Sequence, residues 1–168
     1  MTRNDLPSLL TKPYFMAEIG VDRGDFFDIY YSKKNEYYLI DLWDSNNDKY
    51  YSKKHYKESY KIIKDKTKEL ENIHLIKMSS FRAAKKYPDN CFDWIYIDAR
   101  HGYEDVKQDI EAWLPKLKAN GIISGHDYDP SPEYQKKYNF GVNEAVKEIF
   151  GEFNLTDEEY FKSWYVRL

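Results

Sequence analysis

Four residues in two short stretches carry the side chains best suited to chemistry. Asp98 and His101 stand in Ile97-Asp98-Ala99-Arg100-His101-Gly102, and His126 and Asp127 in Ser124-Gly125-His126-Asp127-Tyr128. A neutral imidazole, with an unperturbed pKa of about 6.5, can take a proton from a hydroxyl at neutral pH. Carboxylates paired with imidazole can also hold a divalent ion, which would acidify a hydroxyl directly. Two further acids close apolar runs in the same way: Glu18 in Ala17-Glu18-Ile19-Gly20 and Asp41 in Leu39-Ile40-Asp41.

The runs that carry these acids are short. They span Phe15–Val21, Tyr37–Leu42, Ile73–Met78, Trp94–Ala99 and Gly121–Ser124. Each is nearly continuous in apolar character, as strands covered on both faces are. Helix candidates lie between them at Gly24–Tyr31, Tyr50–Leu70, Ser80–Tyr87 and Tyr103–Leu117. In the last, Val106, Ile110, Trp113, Leu114 and Leu117 form one apolar stripe at three- and four-residue steps. The alternation predicts an α/β fold, a Rossmann-like, doubly wound and mainly parallel seven-stranded sheet. Beyond Ser124, Tyr128–Phe140 reads as a long loop, Val142–Phe150 as a short helix and Ser163–Leu168 as a closing strand. Glu152–Tyr160 leaves room for one more strand, giving an antiparallel edge at the C-terminus.

Ligands of open parallel sheets bind at the carboxyl ends of the strands, where the strand order reverses. Gly20 and Gly24 follow the first strand, where glycine lets the backbone turn sharply and approach a ligand. A tight structural turn explains them equally well. Glu18 is costly to bury without a partner, and a cationic ligand would serve. The three-glycine dinucleotide fingerprint is absent, which argues against a nicotinamide cofactor. Asp41, about twenty residues on, can accept hydrogen bonds from both hydroxyls of a ribose; a turn or capping role is its plain alternative. Trp43 could border an adenine or sit in the core. Ser79 and Ser80 are expected to cap the next helix, with one hydroxyl able to reach an adenine edge. Asp44–Tyr56 and Tyr128–Phe140 should border a substrate cleft, where their tyrosines could stack on a sugar or aromatic ring.

Composition narrows the classes. The chain has 168 residues with 26 basic and 29 acidic side chains, so no broad polyanion-binding face is implied and no nucleic-acid partner is expected. No apolar run approaches the roughly 20 residues that span a bilayer, and no membrane partner is expected. The lone Cys91 fits packing and a reducing, cytoplasmic setting. His55 and His74 are expected to be structural, and Lys53–Lys68 to be the solvated face of a helix. Residues 1–168 read as one domain with residues 1–14 an extension. That extension is expected to add little to the pocket, leaving it open or completed by a second subunit in a homo-oligomer.

As an ordered set, these stretches resemble the class I S-adenosylmethionine-dependent methyltransferases, in particular the methyltransferase-24 branch with its sugar O-methyltransferases. The pieces are Glu18-Ile19-Gly20 with Gly24, Asp41, Phe92–Asp98, His101-Gly102-Tyr103-Glu104, Asp109, Leu117–Ile123, His126-Asp127-Tyr128 and Gly141-Val142. The resemblance implies a cofactor, S-adenosyl-L-methionine, bound by Glu18, Gly20, Gly24, Asp41, Ser79, Ser80 and Asp98. It implies catalytic work for Asp98, beside the transferring methyl, and for His101 as base on a small hydroxylated, sugar-like acceptor. It implies a divalent metal at Asp98, His126 and Asp127, although imidazole in place of an oxygen ligand weakens magnesium. Two rival readings stand beside it. One is a non-catalytic binding module on the same fold, the other a metal-dependent enzyme using Asp98, His101 and Asp127.

Overall fold

The computed structural model describes residues 1–10, 13–44 and 51–168. A short 3-10 helix, Arg3–Leu9, precedes seven strands: β1 (Phe15–Ile19), β2 (Glu36–Asp41), β3 (Ile73–Lys77), β4 (Phe92–Ile97), β5 (Leu117–Gly125), β6 (Asn154–Leu155) and β7 (Trp164–Arg167). The helices are α1 (Phe27–Tyr30), α2 (Lys53–Thr67), α3 (Ser80–Ala84), α4 (Tyr103–Trp113), α5 (Pro132–Tyr138) and α6 (Val142–Phe150). The strands form one sheet in the order β3-β2-β1-β4-β5-β7-β6. β1 to β5 are parallel, whereas β7 runs antiparallel to both β5 and β6. The expected mixed sheet is therefore present, with β7 inserted ahead of the edge strand β6.

Period-two alternation divides each central strand between two cores. Tyr37, Leu39, Trp94, Tyr96 and Ile122 pack on one face with Leu6, Phe26, Phe27, Tyr30 and Ile63. Ile40, Ile95, Ile97 and Ile123 pack on the other with Ala83, Val106, Ile110, Trp113 and Val146. Both faces are covered, which is why the strands read as continuous apolar runs.

Two expectations are corrected. Tyr128–Phe140 is not all loop: Ser131 precedes Pro132 in the first turn of α5, and Asn139 closes that helix in the left-handed region at φ 51°. Proline suits a first helical turn because its missing N–H has no partner there in any case. Residues 1–14 are not a spare extension either, because Leu6 and Tyr14 are buried. The backbone N–H of Arg3 donates to Glu158 at 2.6 Å. Of the expected helix Tyr50–Leu70 and cleft border Asp44–Tyr56, residues 45–50 lie outside the described residues.

Candidate active site

β1 and β4 are neighbours in the sheet, yet their following helices pack on opposite faces. Gly20 and Asp98 meet at this switch point. Gly20 has φ 86°, and a Cβ there would lie 2.2 Å from the Asp98 carbonyl oxygen, so no other residue can make the turn without displacing β4. Gly24 has φ 76° for a different reason: its missing Cβ would meet Cδ1 of Ile63 at 2.4 Å. Gly24 thus lets α2 close on the turn, and it does not line the cleft, which corrects its expected cofactor role.

Asp41 braces the same turn. Its Oδ2 accepts from the N–H groups of Val21 and Asp22, each at 2.9 Å, and its Oδ1 from that of Trp43 at 2.8 Å. A carboxylate offers about four acceptor positions, so one remains, not the two that a pair of ribose hydroxyls would need. Burial pushes the Asp41 carboxyl above its usual range against the pull of these three donors. Trp43 is buried and donates from Nε1 to the Asp22 carbonyl at 2.8 Å. It belongs to the brace and not to an adenine wall. Ser79 occupies the N-cap position of α3 without a side-chain cap hydrogen bond. Ser80 Oγ instead accepts from Nε1 of Trp113 at 2.8 Å. The expected capping by these hydroxyls is therefore absent, and both serines line the cleft.

Glu18 is only 2 % exposed. The Tyr30 hydroxyl donates to it, so the partner expected from a ligand is supplied by the chain. Burial outweighs that bond and lifts the Glu18 carboxyl to about 8. Glu18 lies beside Tyr96 in the β1–β4 register, and the guanidinium of Arg3 covers Phe26 at 4.1 Å and Tyr96 at 5.1 Å from the ring centroids. One Arg3 nitrogen donates to Asp98 Oδ2 at 2.8 Å, while its Nε is buried without a partner. Arg3 is the residue sequence reasoning missed most completely. Nothing near it in the chain signals a partner 95 residues away.

Beyond Asp98 the two histidines separate. His101 Nε2 lies 2.8 Å from Asp127 Oδ2 and 3.9 Å from Asp98 Oδ1. Burial disfavours its charged form, but the hydrogen bond to Asp127 and the Asp98 charge prevail and raise His101 to about 10. His101 is consequently an imidazolium at neutral pH, not the neutral base expected. Asp127 is held well below the usual carboxylate range: burial works against ionisation, and the hydrogen bonds from His101 and His126 overcome it. His126 Nδ1 is 2.9 Å from Asp127 Oδ1 but 3.9 Å from Asp98, and it does not line the main cleft. Among the described residues, the three side chains close enough to share an ion are Asp98, His101 and Asp127, so the expected set with His126 is corrected. Their pairings are already made within the chain: Arg3 lies 2.8 Å from Asp98 and His101 2.8 Å from Asp127, so an ion held by these three would have to displace both contacts and the imidazole proton.

The strand ends open into a cleft of about 930 Å³, within the size range of small-molecule sites. A family model described as a methyltransferase domain matches residues 17–128. The chain belongs to this methyltransferase-domain family. An uncharacterized protein of Sinorhizobium fredii is 25% identical to the domain over 108 residues, which are 64% of this chain and 11% of that protein. The domain thus spans about a tenth of that relative. Spermidine synthase from Thermotoga maritima superposes with a TM-score of 0.65 at 14% identity, covering 99% of this chain and 56% of that one. An rRNA methylase from Streptococcus thermophilus gives 0.64 at 12% identity, covering 98% and 92%. A protein described as a methyltransferase from Streptococcus mutans, solved with S-adenosylhomocysteine, gives 0.65 at 15% identity, covering 98% and 95%. At these identities the likeness establishes the class I methyltransferase fold. No described helix of the methyltransferase domain is long and apolar enough to cross a membrane.

Within the domain, Glu18, Gly20, Asp41, Ser79, Ser80, Asp98, His101 and Asp127 share one cleft. Gly24 and His126 stand outside it. The cleft also takes in Asp22, Tyr51, Tyr56, Tyr134 and Phe161. Asp22 Oδ1 lies 2.8 Å from His55 Nε2, and Tyr51 stacks on His55 with ring centroids 4.1 Å apart. His55 thereby holds a cleft wall, a structural role in a stretch expected to border the cleft.

Proposed function

We propose that the chain is an S-adenosylmethionine-dependent methyltransferase that methylates an oxygen of a small hydroxylated acceptor. The observation that carries this reading is the switch-point cradle, where Gly20, Asp41, Ser79 and Asp98 face one cleft and a Cβ at Gly20 would fill the approach to β4. The Streptococcus mutans protein of the same fold, solved with S-adenosylhomocysteine, supports the choice of cofactor. Gly20 and the turn after it would carry the amino-acid end, Asp41 one ribose hydroxyl, and Ser79 or Ser80 the base edge.

Bound at the cradle of Gly20, Asp41 and Ser79, the cofactor would supply an electrophilic methyl group for an acceptor oxygen, its sulfur keeping the electron pair of the bond that breaks. The protein's own part is to orient the acceptor and manage its proton. His101, held by Asp127 at the lining of the cleft, would set positive charge beside an acceptor oxygen and favour negative charge on it. The same imidazole can receive the acceptor's proton only from its neutral fraction, which grows toward pH 10. A cationic cofactor end near Glu18 would favour its ionised form by Coulomb attraction, against the burial that lifts its carboxyl to about 8.

Calorimetric titration of the protein with S-adenosylhomocysteine tests the reading. Micromolar binding that falls at least tenfold in Asp41→Ala is expected, and no heat up to millimolar ligand would overturn it.

A further inference from the structure

The half of the cleft beyond His101 is built of aromatic rings supplied by two separate segments. Phe140 packs on His101 with ring centroids 4.5 Å apart. Tyr138 stacks beyond Phe140 at 6.2 Å and 29°, Tyr134 lies 5.5 Å from Tyr138, and Phe161 meets Tyr134 edge-on at 5.3 Å. The rings therefore run as one continuous wall outward from the imidazolium, and all of them line the cleft.

Backbone conformation holds this wall in place. Asn139 at φ 51° ends α5 and turns the chain so that Phe140 returns to His101. Phe161 has φ 56°, a region in which a bulky side chain is rare and strained. Its N–H donates to the Asp129 carbonyl at 2.7 Å, and the Lys162 carbonyl accepts from Tyr128 at 3.1 Å. These two bonds clamp the strained residue across to the segment that follows β5. Tyr134 nevertheless keeps 46 % of its surface exposed, so the wall is not simply core.

We propose that this wall is the acceptor subsite of the methyltransferase proposed above, and that the acceptor it selects is a planar phenol and not a sugar. The wall offers flat apolar faces and just two hydroxyls, those of Tyr134 and Tyr138. A phenolic ring can be sandwiched by such faces, aromatic pairs contributing beyond burial alone. A polyhydroxylated ring laid on these faces would find on the wall itself just the hydroxyls of Tyr134 and Tyr138 as partners, fewer than it carries. The phenolic oxygen would be directed at the inner end of the wall, where His101 stands. This inference rests on the cofactor reading but fails separately from it.

The test uses the intact chain loaded with S-adenosylhomocysteine. 4-Methylcatechol and methyl α-glucopyranoside are titrated in turn, with binding followed by ligand-observed NMR. The phenol is expected to bind at least tenfold more tightly than the glycoside. Tyr134→Ala and Phe161→Asn, the latter suited to the left-handed backbone, should each weaken phenol binding at least fivefold and leave S-adenosylhomocysteine affinity within twofold. Equal or tighter glycoside binding would overturn the proposal, as would phenol binding that both substitutions leave unchanged. Failure of the wild-type protein to bind S-adenosylhomocysteine would instead overturn the methyltransferase reading itself.

Discussion

The two halves of the cleft are made from different materials. The half around Gly20 and Asp41 is mostly backbone: a glycine turn pressed on the Asp98 carbonyl, and three main-chain N–H groups gathered on one carboxylate. The half beyond His101 is side chain, four rings carried on α5, the residues just after it and the turn before β7. Backbone geometry is set by strand pairing and tolerates little change. A wall of rings can be altered one residue at a time without disturbing the sheet. The contrast suits a site whose one ligand is invariant and whose other ligand differs between enzymes.

Substitutions can break this contrast or sharpen it. The largest effect is expected at Gly20→Ala, where strain at positive φ adds to a 2.2 Å approach to the Asp98 backbone. Loss of at least ~3 kcal/mol in urea unfolding should accompany loss of detectable S-adenosylhomocysteine binding. A Gly20→Ala protein of normal stability and affinity would mean that the backbone half is not as rigid as described.

Glu18→Gln comes next and is read through pH. The Glu18 carboxyl titrates near 8 in the folded protein against about 4.5 unfolded. Its contribution is therefore fully present below pH 4.5 and is lost as pH rises through 8. Without cofactor, the wild-type protein should lose on the order of 4 kcal/mol between pH 5 and 9 that the glutamine variant keeps. Asp109, raised to about 6 by burial, adds a loss of the same sign at lower pH in both proteins. Parallel thermal-melt profiles for the two proteins would refute the assignment.

His101 supplies a kinetic test. If its neutral fraction takes the acceptor proton, kcat/KM should climb about tenfold per pH unit below its pKa near 10. In His101→Gln the rate should be at least 100-fold lower, with S-adenosylhomocysteine affinity unchanged. A flat profile in the wild-type enzyme would leave His101 an electrostatic role alone.

The smallest effect is expected at Arg3→Gln. Removing the guanidinium uncovers the Asp98 charge, which attracts a sulfonium but not a neutral thioether. The ratio of S-adenosylmethionine to S-adenosylhomocysteine affinity should rise roughly three- to tenfold. An unchanged ratio would show that Arg3 and the cofactor's cation do not share Asp98.

The sheet was legible because both its faces are covered, so that Tyr37–Leu42 and Trp94–Ala99 stand out as apolar runs in a charged chain. The acids at the strand ends were legible by the same logic. What escaped depended on partners distant in sequence or on backbone detail. α5 has no buried residue and hence no apolar stripe to betray it. The choice between His101 and His126 turns on how Asp127, at φ 58°, presents its two oxygens to them. Asp41 looked like a ribose acceptor, and only its three backbone donors revealed how little acceptor capacity remained. Tyr134 and Tyr138 were legible as tyrosines of a stretch bordering the cleft, but among seventeen tyrosines nothing local joined them to Phe140 and Phe161 as one wall.

The ties between the 3-10 helix and the last strands bear on how the enzyme is made. The N–H of Arg3 rests on Glu158, and Arg167 donates to the Leu9 carbonyl at 2.5 Å. Residue 3 is synthesised before residues 158 and 167, so the first segment cannot make these contacts until both have followed it. During that interval the nascent sheet holds Asp98 without its guanidinium, and the aromatic wall lacks Phe161. The guanidinium beside Asp98 and the ring of Phe161 thus reach their places late, after strands β1 to β5 have been made.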